Sequence, residues 1–157
     1  MASIVNAAKL TVILKEEVKL NNQEYGNRNS VEINSINEVS QRIITVPSAS
    51  NTSLMKMSGS VGAGTFVLGN LQYARITNLD NKNFVRLSFI SQSSDNTEYN
   101  RFDIKLEAKQ SYMFTNAKLS GSSGAAEPSF LAFADFTNLT ANSDTASVDV
   151  EIFIASA

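Results

Sequence analysis

The sequence predicts an all-β protein, a single antiparallel β-sandwich of jelly-roll kind with roughly nine or ten short strands. Three observations carry that expectation. Apolar and polar side chains alternate along several short segments. The alternation is cleanest where Phe102, Ile104 and Leu106 fall on one face and Arg101, Asp103 and Lys105 on the other. A period of two is that of a strand with one dry face and one wet face. Asn, Ser and Thr make up roughly 30% of the chain, which suits a fold where Thr fills strands while Asn and Ser fill turns. No segment shows a helical period over a useful length.

Taken in order, Lys9–Lys15 sets Leu10, Val12 and Leu14 against Lys9, Thr11 and Ile13. Glu16–Leu20 continues that strand past a kink, with Val18 and Leu20 on the apolar face. Asn21–Asn29 reads as a turn region around Gly26, and Ser30–Ile33 as a short strand. Ser35–Val39 is expected to make one helical turn, with Ser35 as its cap and Glu38 three residues on. Arg42–Val46 is β-branched and stops at Pro47, which has no N–H to give to a ladder. Ser53–Ser58 and Thr65–Leu68 read as further strands.

The block Leu71–Phe114 contains four strands in succession: Leu71–Thr77, Phe84–Ile90, Tyr99–Leu106 and Ser111–Phe114. Their connections are the turn Asn78–Asn83, the polar loop Ser91–Glu98 and the turn Glu107–Gln110. After it, Asn116–Pro128 is expected to form a long surface loop. Ser129–Phe133 then reads as a buried strand, Asp135–Asp144 as irregular, and Thr145–Ile154 as a strand that turns Val148, Val150, Ile152 and Ile154 to one side. The length fits one domain spanning 1–157, with an N-terminal arm at 1–8 and the loop at 116–128.

Composition removes whole classes of chemistry. The chain has no cysteine, histidine or tryptophan, so thiol and imidazole nucleophiles, bases and metal ligands are all absent. The carboxylates lie on polar strand faces instead of converging on a cleft, as paired-carboxylate hydrolysis requires. Asp80 sits in a turn with Lys82 two residues on, an arrangement that suits a hairpin and not a hard cation. We therefore expect no enzyme activity, cofactor or metal. A net charge of -2 provides no basic field for nucleic acid or anionic lipid. No apolar run approaches the ~18 residues of a membrane span, and the N-terminus lacks the basic region of a secretory signal.

Aromatic residues are the remaining lead. Tyr73, Phe84, Tyr99 and Phe153 fall opposite the main apolar faces of their strands, and Tyr25 lies in the Asn21–Asn29 turn region. Aromatics on outward faces are candidates for a protein interface.

The block ITNLDNKNFVRLSF…RFDIKLEAKQSYMF resembles small structural proteins of tailed bacteriophages. In these an aromatic-containing strand leads into a TNLD-x-x-N turn, an apolar strand and an F-x-(I/V)-x-L segment. TASVDVEIFIAS and EINSINEVSQRIITVP are similar to such proteins as well, whereas Glu107-Ala108-Lys109-Gln110 stands where they often place Pro or Gly. The resemblance carries no catalytic residue. It implies a virion component assembled in the bacterial cytoplasm, foremost a capsid decoration (cement) protein that stabilises the head lattice. Its partners would be the major capsid protein, neighbouring virion subunits or further copies of itself, with contacts concentrated at 1–8, Asn21–Asn29 and 116–128. A tail or head–tail connector subunit is the alternative within that class. A carbohydrate-binding β-sandwich module, stacking sugars on tyrosines, is the alternative outside it.

Overall fold

The computed structural model describes residues 6–60, 62, 64–67, 69–92, 99–115, 118–119 and 134–157. These residues form fifteen strand segments and no helix. Near the N-terminus β1 (Ala8–Lys15), β2 (Val18–Leu20), β3 (Gln23–Tyr25) and β4 (Arg28–Ile36) make a two-stranded arm. The body follows as β5 (Glu38–Val46), β6 (Thr52–Ser58), β7 (Thr65–Val67), β8 (Leu71–Asn78), β9 (Val85–Gln92) and β10 (Tyr99–Leu106). It is completed by β11 (Ser111–Phe114), β12 (Lys118–Leu119), β13 (Ala134–Asp135), β14 (Asn138–Ser143) and β15 (Val148–Ser156).

Eight strands of the body pair from the outside of the chain inwards: β5 with β15, β6 with β14, β8 with β11 and β9 with β10, all antiparallel. The pattern is that of one long hairpin folded over on itself. Further pairing of β8 with β15 and of β9 with β14 joins these strands into two sheets, β11-β8-β15-β5 and β10-β9-β14-β6, with β7 added parallel to β6. The sheets pack face to face as a β-sandwich. Ile76, Val150, Ile152 and Ile154 from the first meet Met55, Leu87, Phe89 and Leu139 from the second, and all are essentially inaccessible to water. Phe89 is central: Phe102 stacks on it at 4.7 Å, while Tyr112, Phe114 and Phe136 approach it edge-on.

The two turn residues that most shape the body are Asn78 and Asp80. Asn78 is fully buried; its amide donates to the Asn83 and Leu106 carbonyls at 2.9 and 3.2 Å and its Oδ1 accepts the Asp80 N–H at 2.9 Å. Asp80 Oδ1 in turn accepts the backbone N–H groups of Lys82 and Asn83 at 2.6 and 2.7 Å. Those donations, from Asn83 first and Lys82 second, hold the Asp80 carboxyl below its usual range. The turn is closed by its own side chains as its sequence predicts, but it is not the expected hairpin: β8 and β9 do not pair, and Asn78–Asn83 carries the chain from one sheet to the other.

Several expectations need correction. The count is fifteen segments instead of nine or ten, because the arm ladder is interrupted into four pieces and β7, β12 and β13 are very short. Ser35–Val39 makes no helical turn. Ser35 takes a left-handed conformation (φ 62), Ile36 is buried, and the Asn37 N–H is drawn to the Ser156 carbonyl at 2.9 Å. Tertiary pairing outweighs a local cap signal that no following helix rewards. Asp135–Asp144 is not irregular, since β14 lies between β9 and β6. Its inward side is Leu139, Ala141 and Ser143, and two small residues hide the period from a hydrophobicity reading. Of the expected 1–8 arm only residues 6–8 are described, and Ala8 already opens β1. The expected loop at 116–128 lies outside the described residues except for Lys118–Leu119, which pair with β13. Ser129–Phe133 lies outside them entirely.

Candidate interaction surface

From Leu10 to its tip the arm is one hairpin with an unbroken register. Leu10 faces Ile33, Val12 faces Val31, Leu14 faces Asn29, Val18 faces Tyr25 and Leu20 faces Gln23. Between β1 and β2 the ladder is carried by the Glu16 N–H donating to the Asn27 carbonyl at 2.9 Å. Asn21 and Asn22 close the tip with φ of 50° and 64°, the left-handed pair of a two-residue hairpin turn. Gly26 sits at a waist: its φ is 141°, and a Cβ there would fall 1.9 Å from the Glu16 carbonyl oxygen. Only glycine fits. At ~3.3 Å per residue the ribbon from Leu10 to the tip is roughly 35 Å long.

Because register holds from Leu10 to the tip, alternation sorts the arm into two faces. One face carries Leu10, Val12, Leu14, Val18, Leu20, Tyr25, Val31 and Ile33, with Glu16 near its middle. The other carries mostly charged residues, among them Lys9 paired with Glu32 at 2.8 Å and Lys15 with Glu17 at 2.7 Å. Exposed pairs of this kind add little stability.

The base of the apolar face is seated on the body. A second, smaller core gathers Ile36, Tyr73 and Ala155 with Leu10, Val12, Ile33 and Phe153 packed against it. It lies on the outer face of the β11-β8-β15-β5 sheet, opposite the main core. A one-residue shift in pairing between Ala8 and Leu10, beside the left-handed Ser35, brings Ile36 round to the side of Ile33. Burial pushes the Tyr73 hydroxyl pKa up, with the nearby Arg75 guanidinium acting against it. Arg75 pairs with Glu151 at 2.8 Å, and Gln41 donates to the same carboxylate at 2.9 Å. Gln41 first, and Arg75 in addition, keep Glu151 below its ordinary pKa.

Beyond the base the same face is open. Leu14, Val18, Leu20, Tyr25 and Val31 are 45–59% exposed. Two more large apolar side chains, Val39 and Ile43, stand exposed on the outer face of β5. Val39 is directly opposite Ala155 in the ladder, so this patch begins where the seated base of the arm ends. The far edge of β5 carries no strand among the described residues.

Comparison with known protein families, curated proteins and solved structures finds no match to this chain. The surface has to be read from its own chemistry. Among the described residues no three acidic side chains gather as a metal-ligand group, and no helix is long and apolar enough to cross a membrane. An open cleft of about 710 Å³ runs beside the Gly26 waist, lined by Val18 and Tyr25 together with Lys15, Glu17, Lys19 and Arg28.

The five aromatics singled out from the sequence have different places. Tyr73 and Phe153 come together, ring centroids 6.1 Å apart and edge-on, under the arm base. Tyr25 is on the open part of the same arm face, its hydroxyl donating to Gln23. Phe84 is half-buried just before β9, on the other sheet, with the Lys105 ammonium 4.4 Å from its ring centre. Tyr99 opens β10 opposite Gln92; its side chain lies outside what the structure describes. Sequence reasoning passed over Leu14, Val18, Leu20, Val31, Val39 and Ile43. The signal was there, in an Asn-Asn pair flanked by apolar alternation on both sides.

Proposed function

We propose that this chain is a structural subunit of a tailed-bacteriophage virion, a capsid decoration protein that binds and stabilises the head lattice. The observation that carries the reading is the open apolar face of the arm. A two-stranded ribbon is marginal in water by itself, and an apolar face of this size on a ribbon marks a surface meant for a partner. The nested strand pairing supports a jelly-roll reading of the sandwich, a compact block that can carry such an arm. The likeness of the Leu71–Phe114 block to small phage structural proteins points the same way. The partners are the major capsid protein and neighbouring virion subunits, and the site of action is the virion.

The deciding measurement is copy number in purified particles, by quantitative mass spectrometry. Hundreds of copies per particle are expected, together with reduced particle resistance to heat or chelator when the protein is missing. A handful of copies would move the assignment to the tail or connector. Absence from particles combined with a positive glycan array would replace it with carbohydrate binding.

A further inference from the structure

We infer that the open apolar face of the arm docks on the outer face of β5 in a second copy of this chain, over Val39 and Ile43. The inference rests on the reading of the arm as an assembly element, and it names the partner. Within one molecule the outer face of the β11-β8-β15-β5 sheet already accepts this arm face, at Tyr73, Phe153 and Ala155. Val39 extends that seat without a break, since it pairs with Ala155, and Ile43 lies four residues further along the same face. The seat a second arm needs is therefore a continuation of the one the first arm uses.

Spacing and polarity match as well. On the arm, Leu14 and Val18 flank Glu16; on β5, Val39 and Ile43 flank Gln41. Seating one stripe on the other sets Glu16 opposite a polar position instead of against carbon: Gln41, whose amide already donates to Glu151, with the Arg75 guanidinium on that same carboxylate. Packing two arms face to face would instead bring Glu16 towards its own symmetry mate, which like-charge repulsion disfavours.

The area favours a twofold pair. There each copy gives both its arm side chains, Leu14, Val18, Leu20, Tyr25 and Val31, and its Val39 and Ile43 to one interface, all about half exposed or more in the single chain, which brings the contact towards the ~800 Å² each partner gives to a standard stable interface. Because donor and acceptor faces belong to one chain, a closed symmetric assembly satisfies both in every copy.

The test is the mass of the full chain by sedimentation equilibrium or light scattering at micromolar concentration, with two single variants at exposed positions. The intact protein is expected as a closed assembly of two or more copies. Val18→Asp and Ile43→Asp are each expected to weaken association roughly thirtyfold or more, as loss of an interface hot spot does, while circular dichroism stays unchanged. Mixed together, the two variants are expected to associate better than either alone, because the good arm of one meets the good β5 of the other. The cysteine-free sequence allows a direct reading too: Val18→Cys and Ile43→Cys chains, mixed and oxidised, should link to each other in preference to themselves. A monomer at all concentrations, or association indifferent to Ile43→Asp, overturns the inference. A monomer that still occupies particles overturns self-docking and leaves the virion role standing; an assembly absent from particles does the reverse.

Discussion

The arm and the sandwich are written in the same alternating pattern and end in opposite states. In β15, Val148, Val150, Ile152 and Ile154 point inwards and are almost entirely inaccessible, because a second sheet lies over them. In the arm, Leu14, Val18 and Leu20 alternate just as regularly and remain about half exposed, because nothing among the described residues lies over them. Alternation states that a face is apolar; it does not state that the same molecule covers it. A sheet completes its core only when a second layer arrives, and among the described residues the arm has a second layer only at its base.

The contrast can be broken most severely in the body. Val150→Asp places a carboxylate in the main core and is expected to cost on the order of 5 kcal/mol or more, enough to unfold a domain of ordinary stability. Urea denaturation would show it, and a cooperative transition at the native midpoint would mean that the inward faces are misassigned. Asn78→Ala comes next, at about 2–3 kcal/mol, because it removes the amide that donates to the Asn83 and Leu106 carbonyls from a fully buried position.

A smaller effect is expected in acid. Asp80 and Glu151 have folded pKa values below their ordinary 3.8 and 4.5. Their contribution is therefore fully present above those values and is lost as pH falls through the lower folded ones. The melting temperature should hold level from about pH 8 to 5, with no histidine to titrate, and fall below about pH 4.5. Glu151→Gln should blunt the decline, and a decline equally steep in that variant would assign it to other carboxylates. The smallest effect belongs to the open arm. Leu20→Ser is expected to change folding stability by no more than ~0.5 kcal/mol, where the same loss in the core would cost several times that. A larger change in dilute monomer would show that the tip is covered by its own chain.

The sandwich was legible because inward positions repeat with period two over enough residues to be seen, as at Val148, Val150, Ile152 and Ile154; on β10 the same pattern closes only partly, with Leu106 buried, Ile104 half-buried and Phe102 exposed at the sheet edge although it stacks on Phe89. It failed to show where inward positions are small, as at Ala141 and Ser143 in β14. A local signal misled at Ser35, where a cap residue serves a bulge. The interaction surface was half legible. Leu10, Val12, Leu14, Val18 and Leu20 can be placed on one face by counting, and Tyr73 and Phe153 on an outward one. Their meeting depends on the return strand: the Asn21–Asn22 turn sets the register that puts Val31 and Tyr25 beside them. Aromatic type was the weaker guide, since Phe84 is half-buried beneath Lys105 on the other sheet.

The nested pairing also sets an order of events in time. The arm is local, its Lys9 and Glu32 only 23 positions apart, and a hairpin of this kind closes within microseconds once its residues exist. Its seat is remote: Glu38 and Ser156, which bond across the β5–β15 ladder, are 118 positions apart. On the ribosome the arm is finished while β15, with Phe153 and Ala155, is still unmade. The sticky element comes first and the surface it fits comes last. A neighbouring chain that is still incomplete has no finished β5 face to offer, so docking between copies is confined to molecules that have already folded.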